Sequence, residues 1–194
     1  MSTHEAVLAR LRAARQQPRA ASSPQRPRPS TAPLAEAFAA RMAGELTRLH
    51  RTNQLLLTAT LASRLEERGS RRVLIPMGLD PDWLSLVHDR LQISADLAGL
   101  NARELAGFDT SVTGATVGIA DTGTIVLDAR YDQGRPELVR GPGHHICVVF
   151  AHQLVASIDE AIEHLDPDRE LTLLPEADGS CSRHLDVVLV LDDD

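Results

Sequence analysis

The sequence predicts an α/β protein in which a sheet is buried between layers of helices. Short apolar segments such as Arg72–Ile75, His145–Phe150 and Leu185–Leu191 alternate with longer segments whose apolar residues recur at helical spacing. The chain is rich in alanine and leucine, and aromatic residues make up only 3% of it, which favours aliphatic packing over a β-sandwich. Its 194 residues are enough to bury one core. We therefore expect one three-layer α/β/α domain.

The first 33 residues are predicted to lie outside that domain. Thr3–Gln17 has apolar residues at helical spacing, which predicts a short amphipathic helix that docks on its own domain or on a partner subunit. Pro18–Pro33 is rich in proline, serine and arginine, a composition typical of an extended linker. The predicted division is a helix with its linker over residues 1–33 and an α/β domain over residues 34–194.

The domain is predicted to begin with a helical region, Leu34–Arg68, that breaks near Gly44 and stops at Gly69. Asp80 precedes a proline, a pattern typical of a helix start, and it predicts a helix over Asp82–Arg90. The other predicted elements are strand Arg72–Ile75, strand Ile93–Ala95, a helix from Asn101 to Leu105, paired strands Val112–Ala120 and Thr124–Leu127, strand His145–Phe150, a helix capped by Ser157 and ending near Leu165, strand Glu170–Leu174 and strand Leu185–Leu191.

Composition excludes several classes of function. All 20 basic residues are arginines, so a P-loop lysine, a Schiff-base lysine and a Ser–Lys dyad are impossible. The net charge of −7 argues against nucleic-acid binding, which requires a surplus of positive charge. No signal peptide or long apolar run occurs, so we expect a cytoplasmic protein that does not span a membrane.

The cysteines and histidines do not indicate a resident metal. Cys147 and Cys181 cannot supply the four thiolates of an ordinary iron–sulfur cluster or a Cys₄ zinc site. His144 and His145 are adjacent on a predicted strand, so their side chains should point to opposite faces of the sheet. With His152 they lack the spacing of a metal-ligand set. We expect neither a metal nor a cofactor in this chain.

The run Val112–Thr124 (VTGATVGIADTGT) is the most informative segment for function. Its glycines leave backbone N–H groups open and its threonines add hydroxyls, a combination that suits a phosphate or a carboxylate. Turn glycines and β-branched strand residues would give the same composition. The run lacks the G-x-G-x-x-G spacing of a dinucleotide-binding loop.

Two charged residues near this run are candidates for the chemistry. A buried Asp121 would act as a general base, a nucleophile or an orienting acceptor; alternatively it is a turn aspartate that bonds its own backbone. Arg135 lies in Tyr131–Gly143, a segment rich in glycine and proline that is predicted to be a mobile lid. Its guanidinium would bind an anionic substrate through two nitrogens.

Two segments, VTGATVGIADTGTIVLD and GPGHHICVV, resemble the lactate-utilisation protein C family, also called LUD-domain proteins and formerly DUF162. The resemblance covers Leu34 to Leu191, and it implies a fold like that of the phosphosugar isomerases and CoA transferases. Family members are associated with oxidation of L-lactate to pyruvate beside an iron–sulfur partner and an oxidoreductase partner. The resemblance implies a pocket formed by Thr113, Gly114, Asp121, Thr122, Gly123, Thr124 and His145.

The chain departs from the family pattern at two places. Asp121 stands where the family usually has glutamate, which shortens the carboxylate by one methylene. The family's S-G-P-S-x-T-A-D-I-E segment should lie between Leu174 and Arg183, where only PEADGSCS stands. The leading hypothesis is an accessory subunit for lactate utilisation that binds a small carboxylate or phosphate, or a partner, at Thr113–Thr124. The alternative is a stand-alone isomerase or acyl/CoA transferase in which Asp121 is base or nucleophile and Arg135 holds the anion.

Overall fold

The computed structural model describes residues 6–7, 9–11, 13, 31–42, 47–97, 99–166, 168–175 and 184–192, and these fold around two β-sheets. Short 3₁₀ turns at Gln54–Leu56, Pro81–Leu84 and Ala151–Gln153 join some of the elements. In chain order the elements are α1 Thr31–Arg41, β1 Thr47–Asn53, α2 Leu57–Glu67, β2 Arg72–Ile75, β3 Gln92–Ala95, α3 Ala102–Leu105, β4 Thr110–Thr113, β5 Val117–Ile119, β6 Thr124–Leu127, α4 Pro136–Arg140, β7 His144–Phe150, β8 Leu154–Val155, α5 Ile158–His164, β9 Thr172–Leu174 and β10 His184–Leu191.

The larger sheet has six strands in the order β1-β10-β7-β4-β2-β3, and every neighbouring pair is parallel. Its central strands are buried on both faces, as expected for a parallel sheet covered by helices. One face packs on α2 through residues such as Leu61 and Ile146. The other packs on α1 through residues such as Phe38 and Val149. The predicted α/β class, with a central parallel sheet flanked by helices, is confirmed.

The smaller sheet has the strand order β8-β5-β6-β9 and is built on the antiparallel β5–β6 hairpin. One core cluster joins Val117 and Val126 of this sheet to Ile158 of α5. Val7 and Leu11, in the described helical residues near the chain start, are buried in the same cluster. The predicted N-terminal helix therefore docks on its own domain where it is described.

Two predicted helices are wrong in extent. Leu34–Arg68 is not one interrupted helix, because β1 lies between α1 and α2 and pairs with β10 along its whole length. This strand has mostly polar, half-exposed residues because it is the edge of the sheet. Asp82–Arg90 is not an α-helix either: Asp80 caps a 3₁₀ turn, and the amide of Val87 bonds the carbonyl of Leu84 three residues before it.

Several local predictions are confirmed. Asn101 forms a capping box with Glu104, and the Ser157 side chain caps α5. Gly69 has a φ of 65° directly after α2, the left-handed conformation that ends many helices. Within the described residues, no helix is long and apolar enough to cross a membrane.

Candidate functional site

The crevice at the carboxyl ends of β2 and β4 is where the topology favours a ligand. β2 continues to β3 on one side of it, whereas β4 continues through the smaller sheet to β7 on the other side. Neighbouring parallel strands whose connections leave in opposite directions open a crevice outside their carboxyl ends, and ligands of open α/β sheets bind there. The residues that reach this edge are Gly78, three residues after β2, and Gly114, directly after β4.

Both glycines face the turn at residues 129–134. The Gly78 amide donates a 3.0 Å hydrogen bond to the carbonyl oxygen of Tyr131, and the Gly114 amide donates one of 3.1 Å to that of Asp132. A Cβ on Gly78 would stand 2.1 Å from Cδ1 of Tyr131, and one on Gly114 would stand 2.6 Å from Oδ2 of Asp132. Only glycine allows this close approach.

Asp132 is a carboxylate at this edge that sequence reasoning missed. Burial raises its pKa, and the charge of Asp128 adds to that shift, while its own backbone amide and the nearby Arg130 oppose it. The available signal was the sequence Asp128 to Gly134, where two aspartates and an arginine precede a glycine, but only the fold places Asp132 against Gly114.

Thr113 and His145 form a buried pair beside Gly114. Thr113 Oγ1 lies 2.8 Å from His145 Nε2, and neither residue is exposed. Burial, with a smaller contribution from His144, lowers the pKa of His145 to about 3, so its imidazole stays neutral near pH 7. Its Nδ1 and the hydroxyl of Ser111, which is aligned with His145 across the strands, have no hydrogen-bond partner among the described residues.

The second half of the predicted pocket lies at the turn of the β5–β6 hairpin. Asp121 is exposed, and its amide donates to the carbonyl of Ala156 in a 3.1 Å bond. Thr122 and Thr124 are joined by a 2.9 Å bond between their hydroxyls. Gly123 has a φ of 67° and lies against Arg41 at the end of α1. Strand β5 separates this group from Thr113 and Gly114, so the run is divided between two sheets.

Arg135 is engaged by a carboxylate of the protein itself. Its Nε lies 2.8 Å from Oδ2 of Asp96 and its second nitrogen 3.1 Å from Oδ1, while that nitrogen also donates to the carbonyl of Leu100. The hydrogen bond with Asp96 raises the pKa of Arg135. Only the first part of the predicted lid is a turn, because α4 follows Arg135 and buries Leu138 and Val139.

A buried network holds the base of the 129–134 turn. Asp128 is fully buried and accepts hydrogen bonds from the hydroxyl of Thr116 at 2.7 Å and from Nε of Arg130. Gln133 is also buried; its Oε1 accepts from the amide of Asp128 and lies 2.9 Å from the hydroxyl oxygen of Thr116. These contacts fix the turn at both ends and leave its tip at the crevice.

A second polar cluster lies at the opposite, amino edge of the larger sheet. Nε2 of His144 is 3.0 Å from Oδ2 of Asp186, and Nδ1 of His144 is 3.1 Å from the hydroxyl of Thr110. Burial alone would raise the pKa of Asp186, but His144, His50 and Arg68 together hold it well below its usual range. The two histidines do face opposite sides of the sheet, as predicted, since His145 contacts Thr113 instead.

The residues predicted from sequence do not form an acid–base pair at the crevice. The imidazole at the crevice is buried and neutral, Arg135 is paired with Asp96, and the exposed Asp121 lies on the other sheet. General acid–base catalysis needs a titratable group within hydrogen-bond reach of the reacting atoms. The donors nearest the crevice are instead backbone amides, which orient an anion without titrating.

Comparison with known proteins places these features in a family. A family model described as the LUD domain matches residues 78–176, about half of the chain. Lactate utilization protein C of Deinococcus radiodurans is 38% identical over 126 residues, which are 63% of this chain and 57% of that protein. The chain thus spans less than two thirds of this curated relative. The crystal structure of a DUF162 family protein from Deinococcus radiodurans superposes with a TM-score of 0.74 at 32% identity, covering 84% of this chain and 99% of that one.

Proposed function

This chain belongs to the LUD-domain family, and from that premise we propose that it is an accessory component of an L-lactate utilisation system. The observation that carries the proposal is its 38% identity to a protein named lactate utilization protein C. An accessory role, rather than catalysis by this chain, is supported by the position of Asp121 in the hairpin turn of the smaller sheet, whereas the buried pair of Thr113 and His145 belongs to the larger sheet.

The ligand in this proposal is a small carboxylate, or a phosphate, bound at the end of β4. Thr113 and Gly114 lie where the topology opens a crevice, and the Gly114 amide, which donates to the carbonyl of Asp132 in this structure, is the donor for the ligand. His145 positions the Thr113 hydroxyl through their 2.8 Å contact. In this proposal a partner subunit contacts the hairpin turn at Thr122, Gly123 and Thr124.

The partners in this proposal are an iron–sulfur subunit and an oxidoreductase subunit. Lactate oxidation to pyruvate removes two electrons, and the two cysteines of this chain are fewer than the four thiolates of an ordinary iron–sulfur cluster, so the proposal assigns the cluster to a partner. The acidic charge of −7 argues against nucleic acid as a partner. When the affinity-tagged protein is purified from cells grown on L-lactate, both subunits should copurify with it.

Titration calorimetry of the purified protein with L-lactate, pyruvate and inorganic phosphate tests the ligand. We expect one of these anions to bind, and Thr113→Val to weaken its binding by about tenfold, since a hydroxyl and the orientation of His145 are both lost. Thr52→Val is the matched control, because Thr52 is a buried threonine with a side-chain hydrogen bond in β1, three strands away from β4. Equal affinities in the wild type and Thr113→Val would exclude this site.

The same preparation separates the accessory role from stand-alone catalysis. We expect no turnover of carboxylates, phosphosugars or CoA esters by the isolated chain. Turnover that Asp121→Asn abolishes would reject the accessory proposal in favour of an isomerase or an acyl/CoA transferase.

A further inference from the structure

We propose that residues 129–134, called here the gate segment, occupy a carboxylate-binding site in the β2–β4 crevice and compete with the ligand for it. The amides of Gly78 and Gly114, which donate to main-chain carbonyl oxygens of this segment, are the donors of this site, and the Asp132 carboxylate lies beside Gly114. This inference rests on the proposed function for the choice of ligand. It adds Gly78, Tyr131 and Asp132 to the site and makes access to it conditional.

Main-chain contacts of the gate segment occupy the two amides of the site. The two amides donate to consecutive carbonyl oxygens, those of Tyr131 and Asp132. Amides at the carboxyl end of parallel strands are the usual donors to a ligand anion. Here the protein supplies the acceptors itself, so an anion reaches these donors only when the gate segment moves.

The Asp132 side chain places a carboxylate close to Gly114. Its Oδ2 lies so close to Gly114 that a single added carbon would stand 2.6 Å from it. The charged form is disfavoured by burial, which is the cause of the raised pKa. A negative charge held at an amide-lined edge excludes a second anion by repulsion. The gate segment therefore supplies main-chain carbonyl acceptors to both amides and places a carboxylate beside Gly114.

The surrounding charges select a monoanion. Arg130 lies 3.0 Å from Asp128, and Arg135 is held by Asp96. Both nearby guanidinium groups are thus neutralised by carboxylates of the protein. Two amide donors, with Arg130 and Arg135 already paired, suit the single charge of a monocarboxylate such as lactate better than a phosphate dianion.

The gate segment is held firmly at its base and only lightly at its tip. Gln133 and Asp128 are buried in the network around Thr116. At the tip, the side chain of Tyr131 is 70% exposed although its ring edge covers Gly78. Movement of the tip breaks two main-chain hydrogen bonds and leaves the buried base in place.

The test is a ¹⁵N-resolved NMR titration of the full chain that follows the amides of Gly78 and Gly114. Sodium acetate and sodium L-lactate are the ligands, and sodium chloride at equal ionic strength is the control. Asp132→Asn keeps the side-chain shape and removes the charge, so we expect on the order of tenfold tighter binding of both carboxylates. Tyr131→Ala should also tighten binding, whereas Tyr131→Phe should behave as the wild type.

The outcomes separate this inference from the proposed function. Tighter binding in Asp132→Asn with shifts at both glycine amides supports the gate. Unchanged or weaker binding in that variant, or silent glycine amides at every concentration of both ligands, overturns it. L-lactate binding with silent glycine amides leaves the lactate proposal standing and rejects the gate. Acetate-induced shifts without L-lactate binding support the gate and reject lactate as the ligand.

Discussion

Removal of either of two hydroxyls on one face of β4 should change the free energy of unfolding differently. Thr113 bonds His145 at 2.8 Å, whereas Ser111, two residues earlier, has no hydrogen-bond partner among the described residues. Both are fully buried. Thr113→Val leaves the Nε2 of His145 unsatisfied in a buried site and should cost about 1–2 kcal/mol. Ser111→Ala removes a buried polar group that gains nothing from its surroundings, so it should be neutral or stabilising by up to about 1 kcal/mol.

Equilibrium urea unfolding at pH 7 measures both effects. With a denaturant slope of about 2 kcal/mol/M, the midpoint of Thr113→Val should fall by about 0.5–1 M. The midpoint of Ser111→Ala should stay within about 0.2 M of the wild type or rise. Thr113→Ser keeps the hydroxyl and should recover most of the loss.

A different order of stability would refute this reasoning. If Ser111→Ala lost as much stability as Thr113→Val, then the Ser111 hydroxyl would have a partner and the His145 contact would not be the distinguishing feature. An unchanged midpoint in Thr113→Val would mean that the hydrogen bond to His145 contributes nothing measurable.

Three further predictions concern charged groups. Because the folded protein holds the pKa of His145 at about 3, the unfolded chain binds more protons than the folded protein below about pH 6.5. The free energy of unfolding should therefore fall as the pH is lowered from about 6.5 toward 3. His145→Gln should flatten this pH dependence in urea unfolding. The lowered pKa of Asp186 means that it stabilises the fold above about pH 4 and loses this effect in stronger acid. Asp186→Asn should therefore cost about 2–3 kcal/mol at pH 7, by urea midpoint, and this cost should begin to shrink as the pH falls below about 4. Arg135→Lys loses the two-nitrogen contact with Asp96 and should lower Tm by about 2–4 °C in calorimetry; an unchanged Tm would count against a structural role.

The class of fold was predictable because buried strands leave a local signal. Apolar runs such as those of β7 and β10 belong to a parallel sheet covered on both faces, and the helix caps at Asn101 and Ser157 act through residues three positions away. Strand β1 left no such signal. Its sequence, TRLHRTN, is polar because it forms the sheet edge, and only pairing with β10, far along the chain, makes it a strand.

The site was predictable only in part, because its contacts join distant residues. Thr113, Gly114 and His145 are brought together as the family resemblance implied. The partner of Arg135 is Asp96, 39 residues earlier, and no local pattern reveals that pair. The segment between Leu174 and Arg183, where the family pattern is interrupted, lies mostly outside the described residues.

Division of the Val112–Thr124 run between two sheets is the feature that sequence could least reveal. Its β-rich composition is continuous, but the chain leaves the larger sheet at Gly114 and enters the smaller one at Val117. Local propensity does not encode which strand a segment will pair with. Asp121 consequently lies at an exposed hairpin turn rather than beside Thr113.

Growth on L-lactate as the sole carbon source tests the central claim most directly. In a strain from which this gene is deleted, growth on L-lactate should be lost and growth on pyruvate should be retained. The wild-type gene and Asp121→Asn should restore growth equally, because the proposed role is that of an accessory component without catalysis by Asp121. Undiminished growth of the deletion strain on L-lactate would contradict the role in lactate utilisation, and restoration by the wild type but not by Asp121→Asn would contradict the accessory role.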